Sequence, residues 1–188
     1  PLETRVHIAT DGAASLTRAD QQQYGFTLLD SYITTGGGSQ PETRVVAEDL
    51  YRRMRAGEKV STSQASVFER HQHYQRLIET YPQTLYLCVG SVFTGNYETA
   101  TAWQSRHDPD NRLHILDTGA ASGRLAVVVL AAARLAREEA ALWSERTPER
   151  PDDVGDIEMP ERRGIARRLR HQLVRDVEAR ALGQCSGQ

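Results

Sequence analysis

Short apolar runs too brief to be helices recur along this chain, separated by segments with helical spacing, and that alternation restricts the fold more than any other feature. Val6–Thr10, Thr84–Val89 and Leu113–Leu116 are runs of the kind buried on both faces of a parallel sheet. Phe26–Leu29 and Tyr32–Thr34 are two further strand candidates. Between them, Thr17–Gln23, Val46–Arg55, Val67–Thr80, Tyr97–Ser105 and Ala121–Leu142 read as helices. In the second, Val46, Leu50 and Met54 recur every four residues; in the third, the stripe is Val67, His71, Tyr74 and Ile78. Leu125–Ala133 is apolar nearly all round, so the first half of the last helix is expected to be buried, Val128 included. Strand alternating with helix implies an α/β fold, a parallel sheet with helices on both faces joined by right-handed crossovers.

The 188 residues suffice for one domain and little more. We expect an α/β domain over 1–143, an acidic linker over 144–160 and a basic amphipathic helix with its tail over 161–188. The stretch Glu138–Glu158 holds eight acids and two arginines, with Pro148 and Pro151 within it. Glu161–Leu182 carries seven arginines against three acids, with Ile165, Leu169, Leu173 and Val177 at four-residue spacing. That stripe points to docking on the body or on a second copy of the chain rather than to a nucleic-acid arm.

A net charge of −2 gives no indication of nucleic acid or anionic membrane as the main partner. The longest apolar run is too short to span a bilayer, so no transmembrane segment is expected. Two cysteines, one of them (Cys88) inside an apolar run, do not make a disulfide framework, and a reducing cytoplasm is the expected location.

Ligands of parallel α/β sheets bind beyond the carboxyl ends of the strands. Four segments there carry hydroxyls and small residues: Thr10-Asp11-Gly12, Ser61-Thr62-Ser63-Gln64, the stretch from Gly90 through Ser91 and Thr94-Gly95-Asn96, and Asp117-Thr118-Gly119. Two lead into helix N-termini, where free N–H groups and hydroxyls suit an anion. Thr62, Ser63 or Thr94 could equally serve as helix caps, and Asp11 and Asp117 as loop-ordering acceptors. The glycine run Gly36–Gly38 lacks the Lys-Ser/Thr of a phosphate loop. Ser91 does not sit in a GxSxG turn, and no motif contains an activating base. There is no HxxxH or CxxC, so neither a metal nor a catalytic residue is expected.

Taken in order, Val6-His7-Ile8-Ala9-Thr10-Asp11-Gly12, Ser61-Thr62-Ser63-Gln64-Ala65-Ser66, the run Gly90–Ala100 and the run Ile115–Gly123 resemble the DegV family, whose motifs run VTDS, TSQPS, SSxLSGTYxSA and VDSxxxSxG. The resemblance covers residues 5–137. It implies a DegV-type fold and non-catalytic binding of a long-chain fatty acid, with no other cofactor. Some members present the acyl chain to a fatty acid kinase, which makes such a kinase the implied partner. By position, Thr62 and Ser91 match the hydroxyls that hold the carboxylate, with Asp11, Gly12, Ser63, Thr94, Gly95, Asn96, Asp117 and Thr118 around them. Gly12, Ala65 and Gly90 stand where the family has Ser, Pro and Ser, while Thr94 and Asn96 replace Ser and Thr. Members continue into a second domain that closes over the ligand; here the expectation is either a truncated or degenerate member in which that domain is cut short or absent, or a site completed by another domain or a second copy in a homodimer. The rival readings are a protein-interaction or regulatory domain with a degenerate pocket, and a small hydrolase or transferase using Asp11 and Asp117 beside Ser91.

Overall fold

The structure, a computed structural model, describes residues 6–146. The acidic linker beyond that point and the Glu161–Leu182 segment lie outside the described residues. Four strands, β1 (His7–Asp11), β2 (Phe26–Leu29), β6 (Thr84–Cys88) and β7 (Leu113–Asp117), form a parallel sheet in the order β2-β1-β6-β7. The helices are α1 (Arg18–Tyr24), α2 (Ala47–Arg55), α3 (Val67–Thr80), α4 (Asn96–His107) and α5 (Ser122–Arg146). The last continues past the expected domain boundary at 143.

Alternation along the strands sends neighbouring side chains to opposite layers. Ile8, Leu28, Leu85, Leu87 and Val89 pack with Leu125, Val129, Ala132 and Ala133 of α5. Ala9, Leu29, Tyr86, Cys88, Leu113 and Ile115 pack with Tyr74, Leu77 and Ile78 of α3 and Ala100 and Trp103 of α4. Both faces of the sheet are therefore covered, as parallel pairing requires.

Three helical faces differ from the sequence reading. The buried stripe of α3 is Arg70, Tyr74, Leu77 and Ile78, while Val67 lies on the surface. The first half of α5 is amphipathic rather than enclosed: Val129 is fully buried, Val128 only partly, and Val127 is 60% exposed. Small residues at Ala132, Ala133 and Ala136 let this helix lie close on the sheet, and one face suffices for contact. The α2 stripe expected at Val46, Leu50 and Met54 is not buried, and Val46 and Met54 are exposed.

A second sheet was not legible in full. β3 (Ser31–Thr35) pairs with β4 (Gly38–Pro41) and β5 (Ser61–Gln64), both antiparallel. The β3–β4 hairpin turns through Gly36-Gly37, the two-residue connection that glycine permits. The segment Ser61–Gln64, read as a loop, is a strand with every residue exposed. Its ladder is held by backbone hydrogen bonds without apolar alternation, so no periodicity marks it. Asp30, between β2 and β3, accepts from Thr43 N and Arg18 Nη2 and ties this sheet to the carboxyl end of β2.

Two outcomes follow from this packing. Val129→Asp should unfold the domain, because an unpaired buried charge costs several kcal/mol. Val127→Asp should change stability by no more than about 0.5 kcal/mol; thermal melts of the two variants check the assignment of faces. Buried His7 stacks on Tyr81, with ring centroids 3.6 Å apart, and its Nε2 lies 2.8 Å from Thr27 Oγ1. Burial pushes its pKa from 6.5 down to about 4. The unfolded chain therefore binds the proton more tightly. The contribution of neutral His7 is intact above pH 6.5 and is lost as pH falls toward 4, on the order of 3 kcal/mol in all. Melting at pH 7 and pH 4.5 should show a smaller acid loss in His7→Phe than in the parent.

Candidate functional site

The strand order reverses direction between β1 and β6: the chain passes from β1 outward to β2, and from β6 outward to β7 on the other side. The carboxyl ends of β1 and β6 therefore border the crevice where ligands of such sheets bind. Asp11 occupies that point and is completely buried. Its Oδ1 accepts from Arg70 Nη1 (2.7 Å), Tyr86 OH (2.7 Å) and Asn96 Nδ2 (2.9 Å), and its Oδ2 from Val89 N (2.9 Å). A carboxylate has about four lone-pair sites, so Asp11 is saturated. It ties β1, β6, α3 and α4 together.

Asn96 is committed to the same network through its side chain, and its N–H donates to Thr94 Oγ1 (3.3 Å), which shapes the turn into α4 after exposed Gly95. Around this hub the loops after β6 and β7 are bound to each other. Gly90 N donates to Ala120 O (2.8 Å), and the Thr118 hydroxyl donates to Cys88 O (2.6 Å). A Cβ at Gly90 would lie 2.8 Å from the Gly119 backbone, so the serine of the family pattern cannot stand here without a shift. Gly12 is buried in a short 3-10 turn, Gly12–Ala14, and a Cβ there would come 3.0 Å from Glu42 Oε2.

Ser91 and Asp117 form a pair of their own. The Ser91 hydroxyl donates to Asp117 Oδ2 (2.6 Å), while Ser91 N (3.0 Å) and Gly119 N (3.1 Å) donate to Oδ1. These bonds, the Ser91 hydroxyl first among them, hold the Asp117 carboxyl below its usual range. Beside Ser91, Val92 and Phe93 are 81% and 61% exposed; Val67 and Phe68, at the start of α3, are exposed as well.

Thr62 and Ser63 lie on β5, opposite Ile33 and Tyr32 of β3, so they project to opposite faces of the small sheet. Thr62 shares its face with Ile33, the buried residue of β3. Neither caps α3: Ser66 does, accepting from Glu69 N (3.1 Å). The loops after β1, β6 and β7 are joined by the hydrogen bonds above, whereas the Thr62 strand reaches them along the chain, through α3 and Arg70.

Four contributors escaped the sequence reading. Arg70 and Tyr86 complete the Asp11 network; a charged residue in register with Tyr74 on a helical stripe was the available signal for the first. Ser15 and Ser122 bring their hydroxyls within 3.1 Å and join the loops after β1 and β7, both with left-handed backbone (φ 55° and 52°).

Removing one member of the buried pair should be costly. Asp11→Ala leaves Arg70 charged and unpaired and should lower unfolding free energy by about 3–5 kcal/mol. Adding Arg70→Met should recover part of that loss, and chemical denaturation of the single and double variants measures the coupling.

Comparison with known proteins gives one family. The family model described as an uncharacterised protein, DegV family, matches residues 5–145. A DegV domain-containing protein of Caldanaerobacter subterraneus subsp. tengcongensis is 26% identical over 137 residues, covering 72% of this chain and 49% of the relative. The structure of a DegV family protein from Thermus thermophilus, described for its fatty acid binding, superposes with a TM-score of 0.62 at 23% identity, over 74% of this chain and 51% of that one. A Thermotoga maritima protein, whose structure is described as revealing a fatty acid binding function, gives 0.60 at 25% identity, over 76% and 55%. The chain thus spans about half the length of the relatives it matches. With its α/β sheet, its loop motifs and this match over most of its described length, the chain belongs to the DegV family.

Proposed function

We propose that this chain binds a long-chain fatty acid without catalysis, its carboxylate at the switch-point loops and Thr62 and Ser91 as hydroxyl partners. The observation that carries this reading is the juxtaposition at Ser91: a half-buried hydroxyl at the carboxyl edge, followed at once by the exposed side chains of Val92 and Phe93. Polar anchor and apolar rim in one place suit an amphiphile. The fatty acid binding described for the Thermus thermophilus and Thermotoga maritima proteins supports the same ligand class. A further domain or a second copy would cover the acyl chain, and handing the carboxylate to a fatty acid kinase is the extended form of this proposal. No helix among the described residues is long and apolar enough to cross a membrane.

One geometric feature favours a hydrolase or transferase instead. Asp117 lies within hydrogen-bond reach of the Ser91 hydroxyl, the arrangement a serine nucleophile needs. A carboxyl held below its usual range is a poor proton acceptor, however, and Asp11 is saturated. Binding is the better reading.

Calorimetric titration with palmitate tests it. Thr62→Val with Ser91→Ala should weaken binding by one to two powers of ten, the effect of losing a charge-assisted hydrogen bond worth about 1.5–3 kcal/mol. Undiminished affinity in a folded double variant would place the site elsewhere.

A further inference from the structure

We propose that Arg70 supplies the positive charge for the ligand's carboxylate, through the edge of its guanidinium that Asp11 leaves free. The inference rests on the site proposed above. An arginine carries its N–H donors in a rigid planar fork. Nη1 is engaged inside the hub, with Asp11 Oδ1 (2.7 Å) and Tyr86 OH (3.3 Å). Nε and Nη2 are buried and meet no acceptor among the described residues. Those two nitrogens form one edge of the guanidinium, the edge that grips a carboxylate through two parallel bonds. Buried donors on a charged group cost more to leave unpaired than neutral ones. An acceptor therefore belongs there, and an anion is the best match.

The ligand supplies the complementary need. Thr62 and Ser91 are neutral donors, while Asp11 and Asp117, the acids among the motif residues, repel a carboxylate. A headgroup among them calls for a cation. Arg70 lies in the first turn of α3, the helix that follows the Thr62 strand. Through Asp11 it is joined to Val89 N, two residues before Ser91. It thus stands on the connected path between the two hydroxyl partners. The side chain is 2% exposed, so the headgroup displaces neighbouring side chains to reach the fork. Once formed, a bond at that depth is little screened by water or salt.

The test is calorimetric titration of the full chain, parent, Arg70→Lys and Arg70→Met, with palmitate and with hexadecan-1-ol. The alcohol has the same tail without the charge, and thermal melting verifies folding. Palmitate affinity should fall about ten- to a hundredfold in Arg70→Met, the effect of losing a charge-assisted hydrogen bond. The fall should be smaller in Arg70→Lys, which keeps the charge without the fork. Hexadecanol affinity should not change. A second measurement needs the parent alone and serves if the methionine variant does not fold. In carbon-13 NMR, carboxyl-labelled palmitate bound to the parent should stay ionised to lower pH than the same acid in detergent micelles. Loss of both lipids in equal measure gives Arg70 a structural role only and overturns the inference. Unchanged palmitate affinity in the folded variants, or titration as in micelles, overturns it too and assigns the free edge to water. In either case the site stands if Thr62→Val with Ser91→Ala weakens palmitate. If the parent binds no palmitate, the site falls and the inference with it.

Discussion

Burying a carboxylate without access to water costs several kcal/mol unless donors replace its hydration. At the end of β1 that cost is met by convergence: Arg70 from α3, Tyr86 and Val89 N from β6 and its end, and Asn96 from the start of α4 all donate to Asp11. The central sheet pair, two helices on one face and the loop after β6 are therefore positioned by a single side chain. Arg70 is only 2% exposed, so its charge depends on Asp11 as much as the reverse. The loops at the switch point owe their geometry to this contact, and everything proposed for the site depends on it.

The arrangement explains why the motif residues divide by role. Asp11 and Asn96 are turned inward and hold the scaffold, and Thr118 joins two loops through Cys88 O. Ser91 remains half-exposed among exposed apolar neighbours. A motif in sequence mixes these roles, because a residue that shapes a loop and one that meets a ligand stand side by side. Gly90 shows the same point from the other direction: a Cβ there would lie 2.8 Å from the Gly119 backbone, so the side chain is missing where the loops after β6 and β7 pack together.

What the sequence made legible follows from burial. The strands at Phe26–Leu29, Thr84–Cys88 and Leu113–Asp117 and the helix Val67–Thr80 are apolar where they meet the core, and they lie where periodicity put them to within a residue or so. β4 and β5 stayed hidden because Gly38–Pro41 and Ser61–Gln64 pair through their backbones on the outside of the molecule, with no apolar face to mark them. On α3 the buried face was only partly read because one of its buried residues is an arginine, which composition alone assigns to solvent. The motif singled out Ser91 and Asp117, whereas their pairing was not legible, because it depends on a loop closure between segments far apart in sequence.

This division also bears on how such a site would bind an amphiphile. Exchanging one hydrogen bond of Ser91 for another alters binding by about 1.5–3 kcal/mol when a charge is involved. Burying one methylene contributes about 0.8 kcal/mol, so a few carbons of an acyl tail equal the whole headgroup contact. Affinity for a long-chain lipid would then come chiefly from the apolar surface that covers the tail, beginning at Val92, Phe93 and Phe68. The polar contacts would fix how the headgroup is oriented. Loops already held by Asp11 and Asp117 suit that task, since groups fixed in place before binding lose less freedom when the ligand arrives.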